Sequence, residues 1–365
     1  MRGLLLSVMI AAVGLAGCQS APIGDAGTAV SPEPITRIGF GSCARQRPEP
    51  QAIWRAAAEA EPDVFILLGD NVYADTDEVD QLRADYAMLA ADPGFGALRE
   101  GSTVLATWDD HDYGRNDAGA EFEAKAASQE AFLDMFDPDD AWRRKTPGVY
   151  DAAVFGPAGR RVQVILLDTR YFRGPLARWP KGERPRGQGP YVAAADTGTT
   201  MLGEAQWRWL ERRLREPADL RVIASSIQFI AEDHHWEKWA NLPHERRRMI
   251  DLIERAGAAP VLFLTGDRHL SEISMIRRGP GAGLIDVTSS SLTHSLSPRE
   301  EPNRHRVGEP VFENNFGLIE IDWSNNDVGL KIQFINAAGE TIKATAASLG
   351  SHDAGAGPDP DEPRR

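Results

Sequence analysis

Residues 107–119 read TWDDHDYGRNDAG and directly follow the short apolar run Thr103-Val104-Leu105-Ala106. That run reads as a buried strand, so the polar stretch begins where the strand ends. Asp109, Asp110, His111, Asp112, Asn116 and Asp117 crowd into it. Carboxylates clustered at the end of a buried strand repel one another and resist desolvation. A hard cation removes that penalty, because carboxylate and amide oxygens are what multivalent metals coordinate. A solvated acidic loop would account for this one stretch on its own. The same grammar recurs at three other places, and the recurrence argues for metal.

Upstream, residues 63–68 read DVFILL, a nearly continuous apolar run of the kind a strand buried on both faces requires. It delivers Gly69-Asp70-Asn71-Val72-Tyr73. Gly69 permits a sharp turn, and Asp70 falls at the strand's carboxyl end, where open α/β sheets place their ligands. A helix cap is the other use of an Asp in that position. Earlier still, a predicted strand over 37–41 ends in Gly41-Ser42-Cys43. Downstream, PVLFLT at 260–265 delivers Gly266-Asp267-Arg268-His269. Asp267 and His269 are two apart, share a face on extended backbone, and can reach one centre.

Between these strands the spacing predicts helices over 51–61, 77–88, 120–136, 202–215 and 244–255. A strand pair is expected at 149–155 and 160–167, ending at Asp168, which serves either as a polar strand-end group or as a cap. Further strands are expected at 220–230, 284–291, 316–323 and 330–335, the last two forming a hairpin across 324–327. The Pro-, Gly- and Arg-rich segment 173–198 reads as a surface loop covering part of the site. Arg170, Arg173, Arg178 and Arg184 around it either hold a phosphate or form a solvated basic loop. Adjacent His234 and His235 point in different directions on regular structure, so this pair supplies one metal ligand at most. Packing of Trp236 and Trp239 explains the same segment equally well.

The chain has 365 residues, of which 42% are hydrophobic, enough for a large core. A net charge of −14 argues against nucleic acid as a partner, and an anionic substrate would need positive charge supplied locally, most simply by metals. Residues 1–18, MRGLLLSVMIAAVGLAGC, are built like a signal peptide and too short for a comfortable membrane span. Leu15-Ala16-Gly17-Cys18 resembles a bacterial lipobox, which implies export, cleavage before Cys18 and a lipid on its sulfur. The anchored face would be periplasmic or at the cell surface. An ordinary secretory signal cut nearby is the alternative. Residues 19–34 are expected to be a flexible tether, 35–349 the folded body, and 350–365 a disordered tail. With Cys18 lipidated, Cys43 has no disulfide partner, and an unpaired thiol outside the cytoplasm calls for burial or metal.

Strand to Gly-Asp, strand to acid-acid-His, and strand to Gly-Asp-x-His together follow the plan of a binuclear metallophosphoesterase site. No Walker loop, G-x-S-x-G elbow or HExxH occurs. The motifs FGSCARQ, LLGDNVYAD, TWDDHDYGRND, IQFI with its Trp-rich sequel, and FLTGDRHLSE resemble the alkaline phosphatase D (PhoD-like) family over residues 37–335. The resemblance implies a four-layer α/β/β/α metallophosphatase sandwich, phosphate mono- or diester hydrolysis by metal-bound hydroxide, and Fe³⁺ together with Ca²⁺. It also implies that Cys43 is a thiolate ligand, Asp70 the bridging carboxylate, Tyr73 the phenolate on iron, and Asp110 a ligand of the second metal. Asp267 and His269 close the metal set. His111 would contact the phosphate and assist the leaving group, with Asn71 and Arg268 as further phosphate contacts. Asp109, Asn116 and Asp117 remain open as additional or supporting ligands, as does a histidine at 234 or 235. Many relatives carry an N-terminal β-sandwich domain that has no counterpart here, so their substrate preferences do not transfer. A calcium-dependent surface binding protein without turnover is the alternative on the same scaffold.

Overall fold

A computed structural model describes residues 28–137, 141–258, 260–277, 283–324 and 327–349. Cys18, the leader 1–18 and the tail 350–365 lie outside the described residues. In chain order the elements are β1 (Thr28–Ser31), β2 (Arg37–Gly41), α1 (Ala52–Glu59), β3 (Val64–Leu68), α2 (Val79–Ala90), α3 (Pro93–Gly101) and β4 (Thr103–Thr107). A short α4 (Asp110–Tyr113) and α5 (Lys125–Phe136) precede β5 (Asp151–Phe155), β6 (Val162–Leu166), α6 (Gly203–Leu214) and β7 (Leu220–Ser225). The chain ends through α7 (Pro243–Arg255), β8 (Val261–Thr265), β9 (Ser271–Arg277), β10 (Gly283–Ser289), β11 (Asn315–Asp322), β12 (Val328–Asn336) and β13 (Thr341–Leu349).

The strands form two sheets, ordered β1-β5-β6-β7-β8-β10-β9 and β13-β12-β11-β2-β3-β4. Side-chain alternation then builds the layers. Ile66 and Leu68 of β3 meet Val164, Val222 and Leu264 of the other sheet in one core between the sheets. The opposite face of β3, Phe65 and Leu67, packs on Trp54, Leu82, Phe95 and Phe132 from α1, α2, α3 and α5. On the far side, Ile165, Ile223 and Phe263 pack on Trp207 and Leu210 of α6 and Met249 and Ile253 of α7. Helices, sheet, sheet, helices: the expected four-layer α/β/β/α sandwich is the fold. No helix among the described residues is long and apolar enough to cross a membrane.

Part of the segment expected to be a tether is a strand, since β1 pairs in parallel with β5, Thr28 opposite Ala153. Helix α3 is not among the predicted helices; its Pro93, Gly94 and Gly96 are poor helix formers. Asp92 caps it, accepting from the amides of Gly94 (2.8 Å) and Phe95 (3.3 Å), with Pro93 in the first turn. A side chain at Gly94 would meet the Arg55 amide at 2.6 Å, so the close crossing of α1 and α3 requires glycine there.

Strands β2, β3 and β4 are adjacent and parallel, so their carboxyl ends, at Cys43, Asp70 and Asp109, open on the same edge. The loop after β10 reaches across from the other sheet: Ser42 N donates to Ser289 O (3.0 Å) and Leu292 N to Ser42 O (3.0 Å). The two sheets therefore share one mouth.

Candidate metal centre

Left-handed backbone is concentrated at this mouth. Cys43 (φ 59°), Asp70 (50°), Asp117 (59°), Asp267 (69°) and His269 (54°) all adopt a conformation that non-glycine residues rarely take. Such strain, of order 1–3 kcal/mol per residue, persists only where the surroundings impose it. Its effect is to turn donor atoms inward. Asp70 Oδ2 lies 3.5 Å from Cys43 Sγ and 3.3 Å from the Tyr73 hydroxyl. Cys43, Asp70 and His269 form one group of potential ligands, and Asp70, Asp110 and His111 a second. A third, Asp110, Asp117 and Glu237, is all carboxylate. Asp70 belongs to the first two groups and Asp110 to the last two, so the three are joined.

The neighbours fix orientation. His269 Nδ1 pairs with His294 O at 2.7 Å, which leaves Nε2 for a ligand. His111 Nδ1 pairs with Asp75 Oδ1 at 2.7 Å while its ring stacks on Tyr73 at 4.2 Å. Asp112, fully buried, accepts from the amides of Asp70 (3.1 Å), Asn71 (3.2 Å) and Asp109 (2.8 Å), from Asn71 Nδ2 (2.7 Å) and from the Tyr86 hydroxyl (3.2 Å). That single carboxylate locks the turn after β3 to the turn after β4.

Charge at the centre is badly balanced. Burial, then Cys43 and Asp110, hold the Asp70 carboxyl well above its usual range. Burial, then the charges of Asp109, Asp110 and Glu237, do the same to Asp267 against the opposing pull of Arg268. Burial, then Asp267, pushes the Cys43 thiol up to about 12. Asp110 goes the other way: burial opposes ionisation, yet Arg170 and His111 hold it below the carboxylate range. Arg170 is the main buried counter-charge, 2.6 Å from Asp109 Oδ1 and 2.8 Å from Glu237 Oε2, and Arg173 adds a 3.0 Å contact to Glu237. Asn71 Oδ1 and Asp109 Oδ2 are buried without a hydrogen-bond partner. Excess carboxylate, orphaned oxygens and inward donors fit multivalent cations. Thiol, phenol and imidazole on one side and oxygens alone on the other are two different coordination chemistries.

The PhoD-like phosphatase family model matches residues 38–316. This chain belongs to that family. Alkaline phosphatase D from Bacillus subtilis (strain 168) is 24% identical over 296 residues, which cover 70% of this chain and 50% of that protein. The chain thus spans half the length of that relative. The solved structure of PhoD superposes with a TM-score of 0.69 at 18% identity, covering 88% of this chain and 69% of the other. A purple acid phosphatase, PPD1 from yellow lupin seeds, follows the fold with a TM-score of 0.57 at 11% identity, over 88% of this chain and 55% of its own.

Of the residues singled out from sequence, the structure of this PhoD-like chain brings Cys43, Asp70, Tyr73, Asp110, His111 and His269 together. Asp267 lies outside the three ligand groups, with Oδ2 3.7 Å from Arg268 Nη1. The Arg268 guanidinium is bound to Glu301, with Nη2 2.5 Å from Oε2, and is not an open phosphate contact. Asn71 donates its amide to Thr107 O and Asp112. Asp109 gives Oδ1 to Arg170 and Ser226 and keeps Oδ2 unpaired, Asn116 is exposed, and Asp117 joins the all-carboxylate group. His234 pairs with Gln228 Oε1 (2.9 Å) and His235 with Tyr191 O (3.0 Å), and neither enters a ligand group. The loop 173–198 reaches the all-carboxylate side of the site, where the Tyr191 hydroxyl donates to Asp117 Oδ2 at 2.6 Å. Asp168 is a turn cap, accepting from Arg170 N, Tyr171 N and Val149 N. Glu237 and His294 were missed. Glu237 lies between Trp236 and Trp239 in a segment that reads equally as packing, and His294 follows a predicted strand end, a signal of the kind used elsewhere.

Proposed function

We propose that this chain is an exported hydrolase of phosphate mono- or diesters, working through cations held by Cys43, Asp70, Tyr73, Asp110, Asp267 and His269. In this reading Fe³⁺ takes the Cys43, Tyr73 and His269 side and Ca²⁺ the carboxylate side around Asp110. Lipid on Cys18 ties residues 35–349 to a bacterial membrane. One observation carries the proposal: Asp70 offers its carboxylate to two ligand groups at once, as a bridging ligand must.

Cations bound there would supply an activated water and neutralise the phosphate oxygens. The chain's own residues do the rest. His111 resists losing its proton: burial opposes the charge, but Asp110, Asp70 and Asp75 raise it to about 11. Cations on Asp70 and Asp110 would cancel two of those three contributions. Asp75 is outside the ligand groups, and its 2.7 Å bond to Nδ1 favours the doubly protonated ring, whose Nε2–H would be the proton given to the leaving oxygen. Asn71, its amide fixed by Asp112 and Thr107, keeps the turn rigid and leaves Oδ1 unpaired beside the centre.

The test is hydrolysis of a panel of phosphate monoesters, diesters and phospholipids by the purified, metal-loaded protein. His111→Ala should abolish turnover while elemental analysis shows metal retained. Metal binding without hydrolysis of any ester by the wild type would instead support a calcium-dependent binding protein.

A further inference from the structure

The loop after β2 and the loop after β10 run side by side at the mouth of the centre. Beyond the Ser42 bonds already described, Thr293 N donates to Cys43 O (3.2 Å) and Thr293 Oγ1 to Arg45 O (3.1 Å). These bonds bring the Arg45 and His294 backbones alongside each other. Arg45 is exposed, and its guanidinium carbon lies 4.9 Å from the centroid of the Tyr73 ring. His294 stands edge-on to the same ring at 5.5 Å and to His269 at 4.2 Å. The His111 ring stacks on Tyr73. Arg45, His111 and His294 thus gather around one aromatic ring that is itself a proposed metal ligand.

The other arginines near the centre are committed. Arg170 and Arg173 pair with Asp109 and Glu237, and Arg268 with Glu301. Among the described residues no carboxylate pairs with Arg45, and His294 Nδ1 is buried without a hydrogen-bond partner. A guanidinium held in place by an aromatic face, with its N–H groups unspent, is suited to forked hydrogen bonding of a phosphoryl group.

We propose that Arg45 and His294 form an anion clamp for the phosphoryl oxygens at the mouth of the centre, and that Arg45 favours the doubly charged monoester over the singly charged diester. The proposal rests on the phosphoesterase reading. Orthophosphate is the probe. Calorimetric titration into the metal-loaded protein should show binding weakened about tenfold in Arg45→Ala, the loss of a hydrogen bond to a charged group. Arg45→Lys should recover part of that loss, and His294→Ala should weaken binding several-fold. In kinetics Arg45→Ala should act chiefly through KM, and more on a monoester than on the matching diester. An Arg45→Ala variant with wild-type metal content that binds orthophosphate as tightly as wild type overturns the clamp and leaves the phosphoesterase reading standing. Equal losses for monoester and diester overturn the charge preference. A wild type that neither binds orthophosphate nor cleaves any ester overturns both readings together.

Discussion

Asp70 stands one residue beyond Gly69, whose φ of 103° admits no ordinary side chain: a Cβ there would meet the Asp109 amide at 2.6 Å. The glycine lets β3 turn sharply, and Asp70 then reaches Cys43, Tyr73, Asp110 and His111 with one carboxylate. Asp70→Asn keeps the shape and removes charge from two ligand groups, so elemental analysis should show both cations reduced. Turnover should fall about a thousandfold, the loss of several kcal/mol of charge stabilisation. A variant with full metal content and near-normal turnover would remove Asp70 as a bridge. Tyr73 tests metal identity. Phenolate and thiolate donate electrons to ferric iron, so iron-loaded protein should absorb in the visible, and Tyr73→Phe should shift or bleach the band with circular dichroism unchanged. Identical spectra would end the iron assignment. These residues were legible because each follows the end of an apolar strand by two to five positions. Glu237 was not, because it comes from a loop whose place over the centre is set by its ion pairs with Arg170 and Arg173, a long-range contact with no local pattern.

The turn between β4 and α5 shows the same division at the scale of elements. Its acid density announced metal, yet Asp112 proves to be structural, tying α4 to the turn after β3 through three backbone amides, the Asn71 side chain and the Tyr86 hydroxyl. Asp112→Ala strands these donors, at about 1–3 kcal/mol for each that finds no water. Melting temperature should therefore drop by several degrees or more, with metal content falling alongside. A variant that melts like wild type would show the carboxylate to be dispensable. Strands β3, β6 and β8 were readable as apolar runs because every one of their residues is buried. Strand β9 was not, since Ser271, Glu272 and Ser274 are buried polar residues satisfied by Asn315, Arg306 and Asn303. At the sheet edge β13 alternates half-buried and exposed positions, and it carries too little apolar signal to stand out.

Across the whole molecule, two sheets meet face to face, and which strand belongs to which sheet depends on pairings such as β2 with β11, Ile38 opposite Ile319. Nothing local encodes such a pairing. Its coarse consequence, alternating helices and strands with a run of late strands, was readable. The seven-stranded sheet that contains β10 also carries a buried carboxyl. Asp286 of β10 is buried and ties that strand to the segment after β7, accepting from Phe229 N and Ile230 N (2.9 Å each) with Oδ2, and from Thr265 Oγ1 (2.6 Å) with Oδ1. Burial raises its carboxyl from 3.8 to about 6, although the Thr265, Ile230 and Phe229 bonds pull the other way. The folded state thus binds this proton more tightly than the unfolded chain does. Stability from Asp286 is full below pH 4, is lost as pH rises from about 4 to about 6, and stays lost above; two units correspond to about 3 kcal/mol. Asp286→Asn removes the titration and keeps the bonds: its Oδ1 still accepts both amides, and its Nδ2 meets Thr265 Oγ1, which can turn its proton to Thr288 at 2.9 Å. Other acids titrate alike in both proteins and cancel in the comparison. The melting temperature of Asp286→Asn minus that of wild type should therefore increase from pH 4 to pH 6 and level off by pH 7.5, a gain of several degrees. A difference that does not change with pH, or a variant less stable at pH 7.5, would mean that ionised Asp286 is accommodated without cost.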